Sequence, residues 1–366
     1  MALFTREGKI DLIVFTAVIA LLSIGLIMVY SASSVMGIND FRDPHYYVRR
    51  QTMWAVIGLL LMFAAANVDY HVYQYLALPG LLAAVALLAL VLVIGEDISG
   101  AKRWIDLGII NLQPSEVAKL AMVNYTAVYI ATKRERIRRF FTGLLPLLVI
   151  LGIQCALIIK EPDFGTAVTL AFTVVIVLFA GGAHLGQLSA LGCLTIPGVY
   201  YLIKFEPYRI KRWMAFLDPW ADPTGAGWNV IQSLTAIGSG GFFGLGLGNS
   251  RQKFSYLPEH HTDFIFAILC EELGFIGGVL VLLLFFVIAW RGLRIALNAP
   301  DLFGSLLAIG LTATIGFQAL LNIGVVTGSL PVTGITLPFI SYGGSSLLIS
   351  LASVGVLLNI SRQNRS

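Results

Sequence analysis

Apolar residues run along this chain in long blocks separated by polar segments. Ten blocks approach the roughly 20 residues that carry a helix across a bilayer. They lie at 10–30, 52–67, 74–94, 114–132, 143–160, 165–181, 187–204, 264–290, 302–327 and 335–360. The pattern predicts an all-α polytopic membrane protein, a single integral-membrane domain over 1–366 with a long polar segment at 205–262. The first block is too long for the apolar core of a secretory leader. It is expected to end at Tyr30-Ser31-Ala32-Ser33 in a polar loop before further spans, so it reads as a retained anchor. Neither heptads nor a 20–50-residue repeat is visible.

Composition strengthens that reading. Hydrophobic residues make up 57% of the chain and charged ones 12%, against about 25% charged in soluble proteins. A mean hydropathy of +0.84 excludes a disordered chain and argues against a soluble globule. The net charge of +4 gives no sign of a nucleic-acid partner. Cys155, Cys193 and Cys270 all sit in apolar runs, which speaks against a disulfide framework or a metal cluster and for small buried hydrophobes.

Lys and Arg set the expected orientation. The densest cluster, Lys133, Arg134, Arg136, Arg138 and Arg139, lies between the fourth and fifth blocks. Placing it in the cytoplasm puts both termini inside, together with Arg6, Lys9, Arg291, Arg294, Arg362 and Arg365. The polar segments 31–51, 95–113 and 205–262 then face out, so chemistry is expected at the extracytoplasmic face. The GxGxG of Gly244, Gly246 and Gly248 is followed by Asn249 and preceded by no strand, so it is not a dinucleotide fingerprint. Those glycines suit a loop folding back tightly.

Ionisable groups in or beside spans are costly and count as functional candidates. Pro114 and Glu116 suit a helix start, but Lys119 at the same end does not. Glu116 and Lys119, three residues apart, can pair and could line a substrate cavity. In Glu161-Pro162-Asp163-Phe164-Gly165, Asp163 is either the cap of the next helix or a partner for Lys119 or Arg103. Arg209, Lys211 and Arg212 form either a solvated rim or a diphosphate clamp. Asp263 lies where the long outer segment re-enters the membrane. Partial desolvation there would favour a general base, and a cap by Thr262 or Asp263 is the alternative. Glu271 lies eight residues on and about 12 Å deeper. It needs a partner, and Lys119 is the nearest by depth. The adjacent His260 and His261 do not share a helix face and make a weak metal pair.

The run Asn322 to Ser346, NIGVVTGSLPVTGITLPFISYGGSS, resembles the C-terminal signature of the SEDS family (shape, elongation, division and sporulation). GAKRW from Gly100, PSEVAK from Pro114, EPDFGTA from Glu161, FLDPWADPTGAGWNVIQS from Phe216 and SRQKFSYLPEHHTDFIFAILCEELG from Ser250 resemble it too, in family order over essentially the whole chain. Ser329 departs from the aliphatic residue expected in the signature. GGFFGLGLG and SRQKF look more like the FtsW and SpoVE branch than the RodA branch. The short N-terminus and the length look most like the members of Gram-positive spore formers.

The resemblance implies a peptidoglycan glycosyltransferase. It would polymerise lipid II, an undecaprenyl-diphosphate-linked disaccharide-pentapeptide, at the outer face of the plasma membrane, for division, spore cortex synthesis or cell shape. The family's catalytic Asp maps onto Asp263, and its functionally sensitive acid onto Glu271. Trp104, Glu116 and Lys119 match positions in or near the family's central cavity. Arg50, Arg103, Asp163, Arg209, Lys211 and Arg212, with Ser341 and Gly343 of the signature, join them as substrate-binding candidates. The implied partners are a class B penicillin-binding transpeptidase and the divisome, elongasome or spore cortex machinery. No cofactor is called for with certainty, and a divalent cation, Mg or Mn, is compatible with a diphosphate leaving group. The alternatives are a lipid II flippase and a non-catalytic scaffold for a transpeptidase. The flippase fits buried Glu271 and Lys119 but not the scarcity of polar sequence on the inside or the absence of an inverted repeat.

Overall fold

The computed structural model describes residues 8–98, 101–106, 108, 111–253, 257 and 261–364. Arg6, Gly100, Glu259, His260 and Arg365 lie outside the described residues.

Helices occupy all ten predicted positions: α1 (Leu12–Phe41), α2 (Tyr46–Asn67), α3 (Val72–Ile94), α4 (Pro114–Thr132), α5 (Leu145–Lys160), α6 (Phe164–Ala180), α7 (Leu185–Lys204), α10 (Ile265–Leu297), α11 (Leu302–Val326) and α12 (Gly344–Arg362). Seven stretches, α1, α2, α3, Phe140–Lys160 (α5 with its preceding turn), α10, α11 and α12, are long and apolar enough to cross a membrane. The protein is thus an all-α polytopic membrane protein. Its starts follow from local chemistry. Asp11 caps α1 by accepting from Ile13 N and Val14 N, Pro114 opens α4, and Asp301 caps α11.

Four features correct the sequence expectation. The first helix does not end at Tyr30 but runs on to Phe41. Its serines are satisfied inside the bundle: Ser33 Oγ donates to Val29 O at 2.6 Å, and Ser31 Oγ donates to Glu272. The polar segment after α3 is not simply a loop. It holds a small antiparallel sheet, in the order β1 (Glu96–Ile98), β2 (Ala101–Asp106), β3 (Asn111–Leu112), with Ile98 opposite Ala101 and Ile105 opposite Leu112. The segment 205–262 carries two helices, α8 (Pro207–Leu217) and α9 (Trp228–Gly240). Finally, α10 is not one uniform rod. Gly274, at φ 69° and ψ −167°, separates a buried arm, Ile265–Leu273, from the long apolar stretch that follows.

That arm can turn because glycines let backbones meet. A Cβ on Gly274 would lie 2.3 Å from Gly244 N, and one on Gly240 would lie 2.0 Å from Cys270 O. The helices α11 and α12 are the most enclosed of the long apolar ones, and α3 the least. They pack with α2, α4, α6 and α10 around the core, while Leu60, Leu82 and Phe286 on the outer helices stay exposed, as a hydrocarbon-facing surface would.

Candidate active site

At one end of the bundle a cleft of about 440 Å3 opens, within the usual size of a ligand pocket. Each wall has a distinct source. Helix α2 supplies Arg50 and Trp54, strand β2 supplies Arg103 and Trp104, and α4 supplies Glu116. Helix α8 supplies Arg212, the segment before α10 supplies Thr262 and Asp263, and the loop into α12 supplies Gly334, Tyr342 and Gly343.

Asp263 is half-buried, and α10 starts after Phe264, so Asp263 does not hold the cap position. Three straps on the backbone of residues 261–263 place it. Asn322 Nδ2 donates to Asp263 O at 2.7 Å and also to Ile335 O at 2.6 Å. Ser341 Oγ donates to Thr262 O at 2.6 Å, and Tyr342 N donates to His261 O at 3.0 Å. Ser341 is therefore a support for the loop rather than a wall of the cleft. Gly334 lies between Asp263 and Arg103, where a Cβ would make only ordinary contacts, 3.5 Å to Asp263 Oδ2 and 3.8 Å to Arg103 Nη1, so its φ of 77° rather than space calls for glycine.

The cations are held on neutral groups. Arg103 donates through Nε to Glu161 O at 3.0 Å and through Nη2 to Pro162 O. Arg212 Nη1 donates to Val332 O at 3.2 Å, and Arg50 Nη1 to the Tyr46 hydroxyl at 2.9 Å. None of the three is in an ion pair among the described residues. Burial lowers the Arg212 pKa, with Tyr208, Asp263 and Asp163 opposing and Arg103 reinforcing the shift. Behind the wall, burial pushes the Glu161 carboxyl up to about 9, the Asp163 charge adds to it, and Arg103 opposes it. Neither Glu161 oxygen has a hydrogen-bond partner.

The other sequence candidates separate. Asp163 is buried one layer behind the cleft, where it caps α6 through Thr166 N at 3.0 Å and holds Thr166 Oγ1 at 2.7 Å. Lys119 lies beneath the cleft, donating to Glu116 Oε1 at 2.8 Å and Gln318 Oε1 at 2.7 Å. The expected pairing of Lys119 with Glu271 is not made: Lys119 is taken by Glu116 and Gln318, and Glu271, on the arm before the break at Gly274, lies against α9 and the 250–252 backbone. The clamp of three cations is also divided by helical geometry. Arg212 enters the cleft, Arg209 is buried against the Tyr208 hydroxyl at 3.0 Å, and Lys211 is exposed. Residues 209 and 212 share a helix face, and 211 does not.

Asn322, Trp54, Gln318 and Tyr342 were missed as site residues. A buried Asn or Gln in an apolar helix is a costly group, and that was the available signal for Asn322 and Gln318. A divalent ion finds no protein-built cage: no group of three His, Cys, Asp or Glu assembles among the described residues. Glu116 is already paired with Lys119, Asp163 is engaged as a cap, and His261 packs on Tyr47 and Tyr342.

The profile of a family of cell cycle proteins comprising FtsW, RodA and SpoVE matches residues 11–366. The chain is 48% identical to the stage V sporulation protein E of Bacillus subtilis over 99% of both chains. It is 48% identical to a probable peptidoglycan glycosyltransferase FtsW of Trichlorobacter lovleyi, over 97% of this chain and 94% of that protein. A chain from a structure described as the structural coordination of polymerization and crosslinking by a peptidoglycan synthase complex superposes with TM-score 0.79. It is 33% identical and covers 97% of this chain and 98% of that one. The rod shape determining protein RodA of Thermus thermophilus superposes with TM-score 0.73, at 31% identity over 98% of each chain.

Proposed function

The chain belongs to the FtsW–RodA–SpoVE family of cell cycle proteins, and from that premise we propose that it polymerises lipid II into glycan strands at the outer face of the plasma membrane. The carrying observation is the cleft itself. It places one half-buried carboxylate, Asp263, among three arginines whose bonds go to carbonyl and hydroxyl oxygens.

In this reading the 4-hydroxyl of an acceptor sugar attacks the anomeric carbon of the lipid-linked donor. The new C–O bond forms as the bond from that carbon to the diphosphate oxygen breaks. Asp263 takes the hydroxyl proton. The electron pair leaves with undecaprenyl diphosphate, and Arg50, Arg103 and Arg212 stabilise the charge that develops there. Arginine suits this work because its fork of donors fits phosphate oxygens. Trp54 and Trp104 offer apolar surface to sugar rings. The Glu116–Lys119–Gln318 cluster holds the floor of the cleft.

Orientation supports the outer face. Helix α4 starts at the cleft and ends at Thr132, about 28 Å away at 1.5 Å per residue. The exposed basic cluster Lys133–Arg139 therefore sits at the opposite face, as a cytoplasmic one should. A class B penicillin-binding transpeptidase is the proposed partner, supported by the likeness to a chain of a polymerising and cross-linking complex. The machinery served is proposed as that of division or of the spore cortex, after the FtsW and SpoVE relatives.

The test is strand synthesis from purified lipid II by the purified chain, alone and with its transpeptidase. Glycan strands support the reading. Lipid II translocation across vesicles with no strands, partner present, would replace it with a transporter.

A further inference from the structure

Glu271 and Glu272 are buried charges, at 0% and 1% exposure, and neither lines the cleft. The Glu271 carboxylate accepts from Ser250 Oγ at 2.5 Å, Arg251 N at 2.9 Å, Gln252 N at 3.4 Å and Ser239 Oγ at 3.4 Å. A carboxylate offers about four acceptor sites, so the chain's own donors fill this one and leave no place for a sugar hydroxyl. Glu272 accepts from Ser31 Oγ at 2.6 Å and Ser250 N at 3.3 Å, and Lys253 Nζ stands 3.6 Å from it. The main chain doubles the junction. Leu245 N and Gly246 N donate to the carbonyls of Glu271 and Glu272 at 2.9 and 3.0 Å, and Phe275 N donates to Gly241 O at 2.9 Å.

These bonds fasten one end of the arm Ile265–Leu273. The other end begins at Asp263 and Phe264. Between them Ile265 to Leu269 are all at or below 3% exposure, so the arm has no room to shift without disturbing both ends. Beyond Leu273, Gly274 releases the arm from the rest of α10. The same glutamates hold the backbone of 250–252, the start of the segment that returns to Asp263.

We infer that Glu271 is a positioning residue: with Glu272 it anchors the inner end of the Asp263 arm to the 250–253 segment, and so fixes where the base stands. The inference rests on the glycosyltransferase reading for its effect on turnover, but the anchor itself does not. It predicts a specific split between turnover and binding. A misplacement of about 1 Å can cost on the order of a hundredfold in rate, while the arginines and tryptophans that bind lipid II stay where they are.

The experiment compares wild type, Glu271→Gln and Ser250→Ala as full chains in detergent with the transpeptidase. Ser250→Ala removes a donor from the segment side without touching an acid and guards against a folding defect in the first variant. Three readouts are taken: kcat for lipid II polymerisation, lipid II affinity, and amide hydrogen exchange. Glu271→Gln should lower kcat about a hundredfold with affinity within about twofold of wild type. Ser250→Ala should lower kcat less, and the double variant no further than Glu271→Gln alone. Exchange at Arg251, Gln252 and 265–270 should quicken in both variants. Affinity falling in step with kcat, or wild-type behaviour in Ser250→Ala beside a dead Glu271→Gln, would overturn the assignment. So would unchanged exchange. If wild type makes no strands, the exchange comparison still decides the anchor, and the glycosyltransferase reading fails separately.

Discussion

Two sets of charges in this bundle are held in opposite ways. At the end that holds the basic cluster, three acids are closed by side chains of neighbouring helices. Asp11 takes two bonds from Arg291, at 2.9 and 2.6 Å, while its N–H donates to Ser361 Oγ. His71 bridges Asp69 at 2.7 Å and Asp301 at 2.8 Å, and these ties join α3, α11 and, through Gln363, the end of α12. At the cleft end, Arg50, Arg103 and Arg212 are oriented by carbonyl and hydroxyl oxygens instead. Charge paired with charge holds helices together. Charge held on neutral oxygens keeps its field for a ligand. The Glu116–Lys119 pair under the cleft lies between the two cases, since it is closed but adjoins the cavity.

The sharpest way to break this contrast is to remove one cation from each end. Arg103→Ala should lower kcat/KM for lipid II by about two orders of magnitude, in the range for losing one stabilising donor, with little change in thermal midpoint. Arg291→Met should do the reverse. It leaves Asp11, whose side chain is 6% exposed, without its partner, at a cost of about 2 kcal/mol, and turnover should stay near wild type. Thermal melting and steady-state polymerisation on both variants decide it. A turnover loss in Arg291→Met matching that of Arg103→Ala would erase the distinction.

Glu161 gives a smaller effect with a defined sign. Its carboxyl is pushed up to about 9 from an ordinary 4.5 by burial and by the neighbouring Asp163. The folded protein therefore binds this proton more tightly than the unfolded chain between those values. The group's contribution to stability is full below pH 4.5 and is lost as pH rises toward 9. Glu161→Gln mimics the neutral acid, so it should raise stability at pH 7 and flatten the decline above it. A melt series from pH 5 to 9 on both proteins would show whether the gain grows with pH, as it must.

Much of the helical frame was legible because long apolar blocks leave little choice. The block expected at 114–132 matches α4 as found. The turn Glu161–Gly165 and the cap by Asp163 could also be read, since Pro, Asp and Gly punctuate helices by local chemistry. What failed were places where distant partners decide. Ser31 and Ser33 looked like the start of a loop, but hydroxyls can stay in an apolar helix when a carbonyl or a buried acid accepts them. Glu271 was matched to Lys119 by depth alone, but the arm before Gly274 turns it to Ser239, Ser250 and the 251–252 backbone, which satisfy it instead. Of the cleft, Asp263, Arg103, Trp104 and Glu116 were named from sequence and do meet there. Asn322 was not, because its role depends on two carbonyls from segments 59 and 13 residues away.

The most direct measurement is the polymerisation rate of Asp263→Asn beside wild type, with lipid II affinity measured on the same preparations. Asparagine keeps the shape and the backbone straps from Asn322 and Ser341 but cannot serve as a base. The account predicts that turnover falls by about three orders of magnitude, with affinity and melting temperature near wild type. An Asp263→Asn protein that folds, binds lipid II and still builds strands at a rate close to wild type would contradict it.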